Sequence, residues 1–294
     1  MKINFVKDKI KFLLIPAIII LAGVVAFFVR GGFNYDIEFM GGIKMQIEWK
    51  NPASTEEVKT YLEETTKVSP LVVQTTSNGI SIKTKAVEEE KKNEIFNALK
   101  EKYSLTDEAL LSVNSASASF GSQVQRKAFI YTIIAVLLIL LYIAIRFEWR
   151  SAVMAVIALI VNILVMMAVY AIFYTPLNTT FIAAMLTVVG YSINNTIVVF
   201  DRVRENMKKL NVKRGITVTG LVNQSISETL TRTINTTITT LITIVLLYFT
   251  GVASVQEFAF PLIIGVIAGA YSSIFIASPF WASWKEAELE AKKK

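Results

Sequence analysis

Long apolar runs alternate with polar segments along this chain. Six runs, at approximately Leu13–Val29, Ala128–Ile145, Ala152–Tyr174, Thr180–Phe200, Ile234–Thr250 and Phe258–Trp281, carry almost no charge. About 20 consecutive apolar residues suffice to carry a helix across ~30 Å of hydrocarbon, so each run predicts a membrane span. The first run ends in Phe27-Phe28-Val29-Arg30, without the small-residue site of a cleaved signal peptide, and reads as a retained helix.

Between the first and second runs lies a polar stretch of about 95 residues, the size of a small domain. Its pattern changes period. Lys44 to Lys50 alternates polar and apolar, as a half-buried strand does. Ser54 and Glu57 are spaced as a capping box, and Val58, Tyr61 and Leu62 follow on one helical stripe. Val68–Thr76 and Ile80–Lys85 read as strands, with Asn78-Gly79 between them as the preferred pair for a tight hairpin turn. A charged helix is expected from about Val87, with Ile95, Leu99 and Tyr103 on its apolar face, then a short strand at Leu110–Ser115. The order β-α-β-β-α-β is ferredoxin-like, a fold that hosts many activities.

The expected fold class is therefore a multi-pass α-helical membrane protein of six transmembrane helices with one small α+β ferredoxin-like extracytoplasmic domain. The chain divides into residues 1–30 (cytoplasmic N-terminus and first helix), 31–126 (outer domain), 127–284 (five-helix bundle) and 285–294 (cytoplasmic basic tail).

Charge fixes the expected orientation. The formal net charge is +7, yet Gly31–Gln125 holds 14 acidic and 10 basic residues. The positive charge lies beside the apolar runs: Lys2, Lys7, Lys9 and Lys11; Arg146 and Arg150; Arg202, Arg204, Lys208, Lys209, Lys213 and Arg214; Lys285 and Lys292–Lys294. Thr175–Thr179 and Gly251–Gln256 contain no Lys or Arg. This alternation is the positive-inside pattern, with both termini cytoplasmic and the polar domain outside, and it argues against nucleic acid as a partner. Cysteine and histidine are absent, which removes thiolate and imidazole chemistry and the usual zinc or haem ligands from this chain. The carboxylates of the polar domain fall mostly on predicted helix faces. No cofactor is implied; the polar domain reads as a binding or mechanical module, and no enzyme activity is expected of the chain.

Polar side chains inside the spans are the remaining candidates. The fourth helix carries Asn194 and Asn195, with Asp201, Arg202 and Arg204 at its cytoplasmic end. The fifth carries Thr236, Thr240 and Thr243 at i, i+4 and i+7, and the third a single amide, Asn162. Polar groups in a span must face protein or water. Two readings stay open for Asn162, Asn194, Asn195, Thr236 and Thr240: interhelical hydrogen bonds, or a polar track for an ion. Asp201, Arg202 and Arg204 also suit boundary charges that set topology. Gly265, Gly269 and Ser273 recur every fourth position on the sixth helix, which lets another backbone approach closely.

The stretch VGYSINNTIVVFDRVREN (Val189–Asn206) resembles the fourth-helix signature of the SecF branch of the SecD/SecF family. FNYDIEFMGG (Phe33–Gly42) resembles the family's glycine-aspartate motif, here with Asp36, Glu38, Gly41 and Gly42. SETLTRTINTTITTL (Ser227–Leu241), GAYSSIFIASP (Gly269–Pro279) and FEWR (Phe147–Arg150) agree in order and spacing. The resemblance implies a half-unit of the resistance-nodulation-division superfamily in the bacterial cytoplasmic membrane. It implies a SecD-like six-helix partner, the SecYEG channel, exported polypeptides and membrane lipids as contacts, and a role in export driven by an ion gradient. Half of a small-molecule or lipid exporter of the same superfamily is the alternative, disfavoured by the small outer domain.

The chain departs from the family pattern where energy enters. Asn195 stands where an aspartate is usual, and Val161-Asn162 where a His-Asp pair is usual; Glu38 replaces an aspartate, and Ser112–Gly121 lacks the expected Gly-Pro. None of the six predicted spans contains Asp or Glu. An amide forms hydrogen bonds but does not exchange a proton near neutral pH. Either the partner carries the proton path and this half is scaffold, or Asn162, Asn195 and the threonine face help to coordinate sodium.

Overall fold

The computed structural model describes residues 4–68, 71–76, 79–84, 89–116, 118–146, 148–210 and 215–291. Asn78 of the expected turn, the element ends at Lys85 and Val87, Phe147, and the basic residues Lys2, Lys213, Arg214 and Lys292–Lys294 lie outside them. The chain forms two units, Tyr35–Ile130 with Pro176–Thr179, and the remainder.

In the first unit, strand alternation builds the sheet. β1 (Gly42–Glu48) points Ile43, Met45 and Ile47 to one face, each at most 2% exposed, and Lys44 and Gln46 to the other. β2 (Leu71–Thr76), β3 (Gly79–Thr84) and β4 (Leu110–Ala116) complete an antiparallel sheet in the order β2-β3-β1-β4. Helices α3 (Thr55–Thr66) and α4 (Glu89–Tyr103) bring Val58, Leu62, Ile95 and Leu99, all 0% exposed, into one core with Ile80 and Ile82. The Ser54 hydroxyl accepts from Glu57 N at 3.2 Å, half of the expected capping box. The Glu57 carboxylate instead receives the Tyr103 hydroxyl at 3.0 Å, tying α3 to α4. A single short turn of helix, α2 (Ile37–Met40), precedes β1.

The second unit is helical: α1 (Lys9–Val29), the greater part of α5 (Ala118–Arg146), α6 (Trp149–Phe173), α7 (Thr179–Met207, from Thr180 on), α8 (Val218–Thr250), α9 (Ala253–Ser272), a π-helical turn at Ser273–Ala277, and α10 (Ser278–Ala291). Among the described residues five helices are long and apolar enough to cross a membrane: α1, α6, α7, α8 and the continuous run Ser254–Ala291. The apolar part of α5, Ile130–Arg146, is shorter. The protein is thus a multi-pass helical membrane protein with a small sheet domain. Its outward side chains are large and apolar, as Phe28, Ile145 and Phe249 show at 74–78% exposure, a surface made for hydrocarbon. Its interior is small: a Cβ on Gly23 of α1 would sit 2.4 Å from Ala168 of α6, so those two backbones pack closely.

Candidate functional site

The glycine-aspartate motif begins with Asp36, which caps α2 by accepting from Ile37 N at 2.8 Å. Lys44 and Lys83 are direct partners across β1 and β3, on the sheet face away from the helices. Asp36 is set between them, with Oδ1 3.1 Å from Lys83 Nζ and Oδ2 3.4 Å from Lys44 Nζ. All three side chains are at least nine-tenths buried. Burial pushes the Asp36 carboxyl up, but Lys83 and Lys44 together outweigh it and hold the group below the usual carboxylate range.

Asp36 N also donates to Leu177 O at 2.8 Å, and Tyr35 bridges Leu177 in parallel. Two residues on, Glu38 Oε2 accepts from Thr179 N at 2.7 Å and from Thr179 Oγ1 at 2.5 Å. Thr179 opens α7, so Glu38 places a carboxylate on helix-terminal donors that have no partner within the helix. The exit from α2 needs Gly41 and Gly42, with φ of +76° and +144°. A Cβ on Gly42 would stand 2.1 Å from Thr84 O. The four motif residues thus form one strap that grips Leu177 and Thr179. The sequence does not single out Lys44, Lys83 and Thr179, because only cross-strand register and loop docking bring them to the strap.

In the helical unit, Asn162 of α6 and Asn195 of α7 are buried, at 1% and 4% exposure. A Cβ on Gly269 of α9 would lie 3.0 Å from Asn162 Nδ2 and 3.2 Å from Ser192 Oγ, so glycine here lets three helices converge on polar atoms. Beside them Ser273, at the start of the π turn, lies 2.8 Å from Thr196 Oγ1 and donates within reach of Ser192 O at 3.1 Å and Gly269 O at 2.8 Å. Asn162 Oδ1, Ser192 Oγ and Asn195 Nδ2 have no hydrogen-bond partner among the described residues. An unmet buried polar atom costs about 1–3 kcal/mol, so these three atoms are a local cost to the packing of the layer. Gly265 is filled by Val188 and Met166 and serves packing.

The other candidates are placed elsewhere. Asn194 is exposed, Thr236 is exposed and Thr240 half-buried. Thr236 and Thr240 donate to Arg232 O and Thr236 O of their own helix, at 3.0 and 2.8 Å. The α8 hydroxyls that face the bundle are Thr229, Thr233 and Thr237, and Thr237 receives the Tyr191 hydroxyl at 3.2 Å. Asp201 pairs with Arg204 at 2.9 Å and lies 3.8 Å from Arg146. Arg202 reaches Glu228 of α8 at 2.5 Å, where Asn206 Nδ2 also donates at 2.9 Å. These contacts clasp the ends of α7 and α8; Glu228 and Asn206 are visible only once those helices are paired.

Chemically, the amide layer can hydrogen-bond but not titrate. Residues 95–287 match the family model described as protein export membrane protein SecD/SecF, C-terminal. The chain is 36% identical over 280 residues to the protein translocase subunit SecF of Thermodesulfovibrio yellowstonii, covering 94% of this chain and 93% of that one. It is 32% identical over 292 residues to the SecDF of Bacillus subtilis, spanning 98% of this chain but only 39% of that protein. The crystal structure of SecDF from Thermus thermophilus, a translocon-associated membrane protein, superimposes with a TM-score of 0.87 at 30% identity, over 97% of this chain and 39% of that one. On these matches the chain belongs to the SecD/SecF family, among its SecF-type, non-catalytic accessory subunits of the protein translocase.

Proposed function

We propose that this chain is one half of a two-part export machine, paired with a SecD-like six-helix partner and working beside the SecYEG channel on exported polypeptides. One observation carries this reading: an uncovered polar face in mid-span. Thr187, Gly190 and Asn194 are exposed along one stripe of α7, and Asn235, Thr239 and Thr243 along one stripe of α8. The Thr187, Thr239 and Thr243 hydroxyls donate within their own helices, but hydrocarbon offers no partner to the Asn194 and Asn235 amides, whereas a partner helix does. A pull-down from native membranes tests it; recovery of neither a SecD-like chain nor a channel component overturns it.

In this reading the partner supplies the titratable groups of ion coupling, and Asn162 and Asn195 belong to the scaffold. A sodium site is the competing reading, supported by the two oxygens, Asn162 Oδ1 and Ser192 Oγ, that lack partners. Export in vesicles under imposed proton or sodium gradients separates the two.

The outer domain, about residues 31–126, is ferredoxin-like and extracytoplasmic, with α5 as the second of six spans and both termini in the cytoplasm. The antiparallel order β2-β3-β1-β4 with two helices on one face supports the fold, and the charge alternation supports the orientation. An impermeant thiol reagent tests it on this cysteine-free chain: Thr60→Cys reacts in intact cells, and Lys208→Cys only after permeabilisation.

A further inference from the structure

A shallow groove of about 390 Å³ runs along α3 in the outer domain, lined by Glu56, Glu57, Thr60, Tyr61 and Glu64 and by Lys102 of α4. Glu56, Thr60 and Glu64 fall at i, i+4 and i+8, so they share one exposed stripe, while Val58 and Leu62 turn the other side of the helix into the core.

This face differs from an ordinary charged helix surface because a cation already rests on it. The Lys102 ammonium lies 4.0 Å from the centre of the Tyr61 ring, 5.1 Å from that of Tyr103 and 3.6 Å from Glu57. Trp49 packs on Tyr103 at 4.5 Å, and Tyr61 meets Tyr103 edge to face at 6.3 Å, so the rings hold one another in place. A ring face beside a carboxylate is an attractive seat for a cation. One lysine does not saturate the groove. It sets one positive charge against three carboxylates, and Glu56 and Glu64 make no side-chain hydrogen bond or ion pair among the described residues.

Spacing selects what fits. The eight-residue step from Glu56 to Glu64 rises about 12 Å along the helix. An extended chain covers that distance in about four residues at ~3.3 Å each, and its residues i and i+4 point to the same side. We propose that this groove docks an extended polypeptide segment carrying two arginines four residues apart, one guanidinium on Glu56 and the other on Glu64. Arginine suits the site better than lysine, since its planar fork pairs with a carboxylate through two N–H groups and stacks on tyrosine. The inference rests on exported polypeptides as the substrate, and it names the kind of segment the outer domain holds.

Fluorescence anisotropy of short labelled peptides with the full chain in uncharged detergent micelles tests this, with chain-free micelles as the baseline. No partner or channel is needed, so this measurement can fail while the pull-down succeeds, and the reverse. Each peptide carries two arginines among serines and glycines, four apart in one and three apart in the other. The spacing of four is expected to bind about threefold to fivefold tighter, because the spacing of three puts the arginines on opposite faces. Glu56→Gln and Glu64→Gln should each weaken it about twofold to fivefold, the range of one exposed ion pair, with unchanged melting of the chain. Lys102→Gln should tighten it about twofold to threefold, since the resident cation no longer competes for the Tyr61 face. Reduced melting with unmoved affinity in Lys102→Gln would mean that Lys102 only joins α3 to α4, and it overturns the proposal. Equal binding of the two spacings overturns it too, as does wild-type affinity in both glutamate variants.

Discussion

Lys44 and Lys83 stand directly opposite each other on adjacent antiparallel strands, both nearly buried on the non-core face of the outer sheet. Like charges in that position oppose pairing, and Asp36 sits between their ammonium groups. Asp36→Ala leaves two buried cations with their shared counter-charge removed, and should cost about 3–5 kcal/mol. Thermal unfolding of the full chain by circular dichroism measures the loss. Adding Lys83→Met should recover part of it; no recovery would show that Asp36 acts through its α2 cap and not through the lysines.

The same ion group sets a pH response. Asp36 has a folded pKa below its unfolded one, so its contribution is fully present above the unfolded value of about 4 and is lost as pH falls through the lower folded value. Stability of the wild-type chain should therefore fall more steeply below about pH 4 than that of Asp36→Asn, which lacks the titration. Parallel acid profiles for the two proteins would contradict this.

Glu38 and Thr179 make the second half of the strap. Glu38→Gln keeps the shape but removes the charge from two hydrogen bonds, and Thr179→Val removes one of the two donors. Each should loosen the segment from Tyr174 to Thr179 by about 1–3 kcal/mol. Protease cleavage or hydrogen exchange at that segment should rise in both variants. Because the Glu38 and Thr179 effects share one contact, the double variant should lose less than the sum of the singles.

Much of this architecture is legible from local pattern. Ile43, Met45 and Ile47 announce a half-buried strand, and bilayer thickness imposes the length of the spans. What is not legible is nonlocal. Lys44 reads as a solvated position until β3 places Lys83 across from it and Asp36 arrives between them. On α8 the difficulty differs, since threonines occupy several sides of the helix. Periodicity finds the Thr236–Thr240–Thr243 stripe, but packing turns Thr229, Thr233 and Thr237 inward. A stripe identifies a face, and only neighbouring helices decide whether it points in or out. Ser192 and Ser273 stay hidden for the same reason: their meeting depends on Gly269 and on the π turn.

The exposed stripe on α7 gives a separable test of partner docking. Among the described residues nothing lies within 4 Å of a Cβ built on Gly190, so the helix has room for a side chain there. Gly190→Leu should leave the melting temperature of the isolated chain unchanged or slightly raised, since leucine is a better helix former by about 0.5–1 kcal/mol. A close helix crossing against the partner has no such room, and co-purification of a SecD-like chain should fall severalfold. Gly265→Leu is the counter-case, because its Cβ would stand 2.4 Å from Val188 within the chain's own bundle, and it should lower melting before any partner is added. If Gly190→Leu pairs as well as wild type, the α7 stripe is not the docking face, and the hydroxyl face of α8 must carry the contact alone.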